Sequence, residues 1–251
     1  MSSVCVGNDV VDLENPRTDG RATDERFVGR VLDEDEQETV RLSAEPDLEL
    51  WCHWAAKEAG FKIISKLIGA PPPFVHRAFK VTWDGPPGSA AVEPGAVVRR
   101  GAVTYGEHRA CVSVATHPGA LHAVGYAPRN PSGREPVVHP RVALLDAPGS
   151  SWEAALEDLL PRFTAREADA VYSRASAAVR LGARADLASR IEVREDRLEI
   201  VCAPGPTSQR PPRVLLDGEE TEADVSLSHD GRLIAWALWT GIDPIERKEA
   251  G

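Results

Sequence analysis

The stretch WCHWAAKEAGFKIISK, residues 51–66, forms the centre of the longest helix that this 251-residue sequence predicts. It holds three of the chain's five lysines around a single acid, Glu58. Pro46 suits the first turn of a helix. The sequence GAPPP at residues 69–73 is a strong signal for the end of a helix. The sequence therefore predicts a helix from about residue 46 to residue 68, and it raises the question of why lysines gather there.

Composition and charge exclude several classes of protein. With 42% hydrophobic and 27% charged residues, the chain is typical of a soluble globular protein with one large or two small domains. A net charge of −10 argues against nucleic-acid binding. The four cysteines lack metal-ligand spacing, and no segment reads as a signal peptide or a membrane span. We therefore expect a cytoplasmic protein without nucleic-acid or membrane partners.

Turn residues divide the chain into elements whose order occurs twice. In order, they are an apolar strand (4–13), an acidic helical stretch (26–42), the long helix, strand-like runs (74–83, 96–104, 109–127), a proline-rich linker (128–140), a strand (142–146), helical segments (152–190), strand-like runs (191–202, 213–217) and a last strand (223–239). The pattern predicts an α+β fold with two halves, residues 1–130 and 131–251. Each half is expected to pack an antiparallel sheet on a long helix.

Three pairs of segments indicate that the halves are duplicates. They are LDEDEQ (32–37) with FTAREA (163–168), AAKEAGFKIISKLI (55–68) with AAVRLGARADLASRI (177–191), and ATHPGALHAV (115–124) with LSHDGRLIAW (227–236). The interpretation is a monomeric pseudo-dimer of two similar halves. Two unrelated α+β domains with chance similarity remain the alternative.

The halves differ where chemistry is expected. Lys57-Glu58 of the first helix is matched by valine and arginine in the second, whereas Ser228-His229 is matched by threonine, histidine and a proline. Each half has therefore kept a different part of a possible site: the first half has kept the lysine and the acid, and the second half has kept the Ser-His pair. We expect one composite site, with acids from the first half and the Ser-His pair from the second.

The residues around Glu58 are compatible with phosphate chemistry. Asp9 and Glu58 are carboxylates of the kind that Mg²⁺ binds together with water and substrate phosphates, and lysines neutralise such phosphates. The alternative is that Glu58 and Lys62, four residues apart, simply stabilise an exposed helix face. At about 100° per residue, Lys57 projects into the apolar arc of the helix. It could snorkel there or point into a cleft.

Four segments together resemble the 4′-phosphopantetheinyl transferases, the superfamily of holo-acyl-carrier-protein synthase and the surfactin-type enzymes. They are GNDVVDL (7–13), RFVGRVLDEDE (26–36), WAAKEAGFK (54–62) and VSLSH (225–229). The family signature is a G-x-D strand, a W/F-x-x-K-E-x-x-x-K helix and an S-x-S-H strand. The resemblance implies transfer of the phosphopantetheine arm of coenzyme A to a serine of an apo acyl or peptidyl carrier protein, with release of adenosine 3′,5′-bisphosphate.

The resemblance also implies roles for individual residues. Asp9 and Glu58 would be Mg²⁺ ligands, and Glu58 would accept the serine proton directly or through a water molecule. Lys57 and Lys62 would hold the pyrophosphate of coenzyme A. Catalysis would then rest on Asp9, Glu58 and Lys62 positioning the reactants and neutralising charge.

Ser228 and His229 would reach the nucleotide end of coenzyme A and its 3′-phosphate. Two departures from the family pattern keep alternatives open. The order of the halves is reversed relative to the two-half enzymes, and Val11 stands where those enzymes carry a further acid, so that the next acid is Asp12. The alternatives are a degenerate homologue that binds coenzyme A or a carrier protein without catalysis, and a metal-dependent phosphohydrolase.

Overall fold

The computed structural model describes residues 2–73, 75–85, 97–129, 135–203 and 210–241. The chain divides into two compact units. The first unit is Gly7–Ala127, and the second unit joins Met1–Val6 to Pro128–Gly251.

The first unit places one long helix against a sheet. Its elements are β1 (Val4–Asp12, which begins in the second unit), α1 (Glu25–Val31), α2 (Glu34–Leu42), α3 (Pro46–Ile68), β2 (Lys80–Trp83), β3 (Val97–Tyr105), β4 (His108–His117) and β5 (Ala120–Pro128). The sheet has the strand order β1-β5-β4-β3-β2. Strands β2 to β5 pair antiparallel.

Helix α3 confirms the predicted helix at residues 46–68. Pro46 occupies its first turn, and Gly69 in a left-handed conformation ends it. The helix buries small side chains against the sheet, which lets the two layers approach closely. The core between them includes Ala55, Ala56, Ala59 and Ile64 of α3 with Val103, Val112, Val114, Leu121 and Ala123 of the strands.

The acidic stretch predicted as one helical segment at 26–42 folds as two helices, α1 and α2. The chain is extended at Leu32, and a capping box restarts the helix at Asp33. The Asp33 carboxylate accepts from the Glu36 amide at 3.0 Å, and the Glu36 carboxylate accepts from the Asp33 amide at 2.9 Å. The backbone amides of Asp33 and Glu36, which have no partner within the helix, both find an acceptor in this way. The sequence D-E-D-E therefore begins a new helix at this point.

The second unit combines another long helix with two described sheets. Its elements are β6 (His139–Leu144), α4 (Leu156–Leu159), α5 (Ala165–Ala168), α6 (Arg174–Ile191), β7 (Leu198–Val201), β8 (Arg213–Leu216), β9 (Glu219–Glu220), β10 (Asp224–Asp230) and β11 (Leu233–Trp239). The sheets have the orders β10-β11-β6 and β7-β8-β9. Residues of α6 pack with Val225, Ile234, Trp236 and Leu238 in one core. Helices with antiparallel sheets confirm the predicted α+β class.

Several predicted strands have different limits in the structure. The runs at 109–127 and 223–239 are each a hairpin, β4–β5 and β10–β11, with Gly119 and Gly231 at positive φ in two-residue turns. The run at 74–83 becomes a strand only at Lys80, because a 3₁₀ turn occupies His76–Ala78. Phe74, and residues 130–134 of the predicted linker, lie outside the described residues.

Candidate active site

Lys62 and Asp9, two of the predicted site residues, lie in contact in the first unit. Lys62 Nζ donates to the backbone oxygen of Asn8 at 2.7 Å and to Asp9 Oδ1 at 3.2 Å. Their side chains are 27% and 13% exposed, so the pair is partly shielded but still open to solvent. The structure therefore brings a cation of α3 and a carboxylate of β1 together.

Gly7 explains how β1 comes so close to α3. A Cβ atom at Gly7 would lie 2.3 Å from the backbone oxygen of Ala59 and 2.6 Å from Ile63 Cγ1. Such contacts are impossible, so only glycine fits at this position. The glycine of the G-x-D segment therefore allows the approach that places Asp9 within reach of Lys62.

Glu58 lies one helical turn before Lys62 on α3, with a histidine beside it. Its Oε1 atom is 3.4 Å from His76 Nε2, and the two side chains are 21% and 16% exposed. The His76 ring stacks on Trp54 with a centroid separation of 4.3 Å. The carboxylate therefore stays accessible while an aromatic pair lines its surroundings.

Lys57 corrects one expectation from the sequence. Its ammonium group is fully buried and donates to Glu36 Oε2 at 2.6 Å and to the backbone oxygens of Phe79 at 2.7 Å and His76 at 3.2 Å. An ammonium group has three protons, and here they have three partners. Burial lowers the pKa of Lys57, and Glu36 opposes this by favouring the charged form. Lys57 is thus an interior residue whose three protons are all taken up by contacts within the protein.

Asn8 and His122 form a buried polar pair next to the Lys62 contact. Asn8 Nδ2 lies 3.2 Å from His122 Nε2, and these residues are 0% and 5% exposed. Since an amide nitrogen only donates, the imidazole accepts through Nε2. Burial, together with the charges of Lys62 and His117, lowers the pKa of His122 to about 3. A neutral imidazole therefore adds no positive charge beside Lys62.

Ser228 and His229 lie in the second unit, on β10. In the β10–β11 ladder, Ser228 pairs with Ala235 and His229 pairs with Ile234. Ser228 is buried, whereas His229 is partly exposed. The hydroxyl of Tyr172 lies 3.4 Å from His229 Nε2. The strand therefore presents the imidazole near the surface beside an aromatic ring.

A comparison with known families finds a match in the first part of the chain. Residues 5–100 match the model described as the 4′-phosphopantetheinyl transferase superfamily. This match covers less than half of the chain and shows that the first part of the chain is similar to the 4′-phosphopantetheinyl transferase superfamily. This confirms the resemblance drawn from the sequence motifs. No curated protein matches the chain.

The transferase superfamily match covers β1, α1 to α3 and β2, and so includes Asp9, Glu58 and Lys62. Ser228 and His229 lie beyond the matched residues. Among the helices that the structure describes, none is long and apolar enough to cross a membrane.

The transferase superfamily implies a divalent metal, which would need oxygen donors from side chains of the protein. The described residues contain no group of three or more histidine, cysteine or acidic side chains placed to hold a metal. Mg²⁺, however, commonly takes only one or two carboxylates and completes its shell with water and substrate phosphates. Carboxylates such as Asp9 and Glu58 are donors of the type that Mg²⁺ takes; in the structure Asp9 contacts Lys62 and Glu58 lies beside His76.

Sequence reasoning missed several buried or half-buried polar residues of the first unit. Glu36 could have been found from the capping-box spacing after Asp33, although that spacing does not reveal its contact with Lys57. His76 and His122 are brought to Glu58 and Asn8 only by tertiary structure, and no local pattern marks them.

Proposed function

We propose that the protein transfers the 4′-phosphopantetheine arm of coenzyme A to a serine of an apo acyl or peptidyl carrier protein, with release of adenosine 3′,5′-bisphosphate. In this reaction a bond forms between the serine oxygen and the phosphorus next to the pantetheine arm. The pyrophosphate P–O bond to the nucleotide breaks. The superfamily match supports phosphopantetheine transfer in general, and the carrier protein and the metal are part of the proposal.

The contact between Lys62 Nζ and Asp9 carries the proposal most directly. It joins the cation of the K-E-x-x-x-K helix to the acid of the G-x-D strand at 3.2 Å. Phosphoryl transfer needs positive charge near the leaving phosphate and groups that position the reactants. A partly exposed lysine, held in place by a carboxylate and a backbone oxygen, meets both needs.

Glu58 is the proposed acceptor of the serine proton, directly or through a water molecule. It is 21% exposed, so a substrate hydroxyl has access to it. Asp9 and Glu58 would also hold Mg²⁺, which when bound neutralises charge on the pyrophosphate. We propose that Lys62, and not Lys57, holds the pyrophosphate, because the Lys57 ammonium is buried against Glu36.

Ser228 and His229 are proposed to bind the nucleotide end of coenzyme A. A partly exposed imidazole on the rigid β10 strand can donate a hydrogen bond to a phosphate oxygen or to the sugar. These residues lie in the second unit, so the expectation that both halves contribute to catalysis stays a prediction.

The proposed duplication gains support from two buried glutamates at matched positions. Glu36 Oε1 accepts from the backbone amide of Val81 at 2.8 Å, and Glu167 Oε1 accepts from the amide of Ile200 at 2.9 Å. Each glutamate also occupies the N3 position of a helix that begins with a capping box. Each carboxylate neutralises a helix cation, Lys57 in the first unit and Arg184 in the second. We propose a pseudo-dimer on this ground.

The test incubates the protein with coenzyme A, Mg²⁺ and a panel of apo carrier proteins, and then weighs the carriers by mass spectrometry. A gain of one phosphopantetheine group is expected on at least one carrier. Val11, in place of the further acid, favours the competing function of binding without turnover. Calorimetric binding of coenzyme A with unchanged carrier masses would support that alternative.

A further inference from the structure

Tyr172 is the most exposed of the large apolar and aromatic side chains in the described residues, at 70%. A single exposed aromatic residue is ordinary on a protein surface. Two features distinguish this one: its backbone is fixed at both ends, and its hydroxyl contacts a residue that the proposed function already uses.

The backbone of Tyr172 is held at the start of α6. Its amide donates to Ser176 Oγ at 3.0 Å, within the capping arrangement of Ser173 and Ser176. The preceding residue, Val171, is buried in a cluster with Leu159, Ala177 and Leu181. The ring is therefore presented to solvent from a rigid support, and these backbone contacts do not depend on the Tyr172 side chain.

The Tyr172 side chain is directed toward His229. Its hydroxyl lies 3.4 Å from His229 Nε2, and the ring centroids are 6.3 Å apart with an interplanar angle of 56°. The tautomer of the imidazole decides which group donates, but the contact restrains both rings in either case. Two partly solvated aromatic rings thus share one surface of the second unit.

The chemistry of this pair suits a planar base. Base stacking on an aromatic side chain needs an accessible ring with little conformational freedom, and tyrosine loses little entropy because it has few rotatable bonds. A purely structural role is disfavoured because a ring that is 70% exposed buries little area.

We propose that Tyr172 is a nucleobase-recognition residue, whose ring stacks on the adenine of coenzyme A while its hydroxyl orients His229. The inference rests on the proposed function, since it assigns the base to the same nucleotide end that His229 binds. It predicts that Tyr172 contributes to binding any ligand that carries the adenosine group and not to binding the pantetheine arm.

The experiment measures binding by calorimetry with two probes, adenosine 3′,5′-bisphosphate and 4′-phosphopantetheine. Tyr172→Ala should weaken binding of the adenosine probe by about 10- to 100-fold, the range of one base stack, and should leave 4′-phosphopantetheine unchanged. Tyr172→Phe keeps the ring and should lose much less affinity. Leu42→Ala, at a side chain of similar exposure (68%) in α2, is the matched control and should be silent.

The outcomes separate the inference from the proposed function. If the wild-type protein modifies a carrier but Tyr172→Ala binds the adenosine probe normally, the stacking role is wrong and the transferase function stands. Equal losses for Tyr172→Phe and Tyr172→Ala would overturn stacking in favour of the hydroxyl contact. If the wild-type protein neither binds coenzyme A nor modifies any carrier, the proposed function fails first. Circular dichroism of both variants excludes unfolding as the cause.

Discussion

Lys57 Nζ and Glu36 Oε2 lie 2.6 Å apart in the interior of the first unit, with side-chain exposures of 0% and 3%. The same carboxylate accepts from the amides of Asp33 and Val81. One ion pair therefore connects α2, α3 and β2. Two charges buried together are tolerated because each has its hydrogen-bond partners.

Breaking this pair is predicted to destabilise the fold strongly. Lys57→Met leaves Glu36 buried without its cation and should lower the free energy of unfolding by about 3–5 kcal/mol, as measured by urea denaturation. Lys80→Ala is the control, because its ion pair with Asp33 involves a lysine side chain that is 63% exposed. Loss of the Lys80–Asp33 ion pair should lower the free energy of unfolding by less than about 1 kcal/mol. Similar losses for the two variants would contradict a stabilising role of the buried pair.

Glu58→Gln tests the proposed proton acceptor. The substitution keeps the shape of the side chain but removes a metal ligand charge and the proton acceptor. Transfer to the carrier should fall by at least about 100-fold while the melting temperature stays near that of the wild type. Mass spectrometry of the carrier and thermal melting measure the two effects. Glu38→Gln, on α2 and paired with Arg41, should keep full activity. Turnover by Glu58→Gln within a few-fold of wild type would show that the helix is wrongly assigned.

Lys62→Ala and His229→Ala are predicted to affect different steps. His229→Ala loses a hydrogen bond to a charged group, which should weaken coenzyme A binding by about 10- to 100-fold with a smaller effect at saturation. Lys62→Ala should also lower the maximal rate, because charge on the leaving phosphate grows in the transition state. Calorimetry and single-turnover rates separate the two effects.

His117→Ala is the control for this comparison, since His117 is the histidine of the first unit that matches His229 in sequence. It should be nearly silent in both assays. Equal losses for His117→Ala and His229→Ala would mean that the halves have been assigned the wrong way round, or that there are two sites.

The stability of the fold is predicted to fall in mild acid because of His122. Its pKa is lowered to about 3 in the folded protein, mainly by burial, whereas an unfolded histidine titrates near 6.5. Between these values the unfolded chain binds more protons, so the free energy of unfolding decreases as pH falls from about 6.5 toward 3. The slope contributed is at most about 1.4 kcal/mol per pH unit.

Urea denaturation between pH 7 and pH 4.5 measures this dependence. The comparison is with His122→Gln, whose amide does not titrate and can still accept from the Asn8 side chain. The variant should show a shallower decline with pH than the wild type. Parallel curves for the two proteins would contradict the assignment.

Local signals allowed much of the fold to be predicted. The helix at 46–68 follows from Pro46 at its start and Gly69 at its end, and both act through backbone geometry within a few residues. The two hairpins are predicted as single strand-like runs, although their two-residue turns, Pro118-Gly119 and Gly231-Arg232, each contain a glycine. The long apolar runs on either side outweighed the turn residues in that interpretation.

The candidate site could be predicted in part. Asp9 and Lys62 meet because a glycine in β1 allows the strand to approach α3, and the motif spacing pointed to both residues. Lys57 and Glu58 are adjacent in sequence but differ by about 100° around the helix. Helical geometry directs Lys57 into the apolar arc but leaves open whether its ammonium snorkels or points into a cleft. The buried carboxylate of Glu36, delivered by α2, decides that Lys57 faces inward.

The sequence by itself determined the α+β class, the long helix and the similarity of the first part of the chain to the transferase superfamily, because periodicity, caps and motifs are local properties. Only the tertiary structure decided which charged side chains are buried and which neighbours they have. Tyr172 and His229 are 57 residues apart, and Lys57 and Glu36 are 21 residues apart. Such contacts depend on how elements pack, since desolvation and partner geometry set the free energy of each buried or half-buried charge.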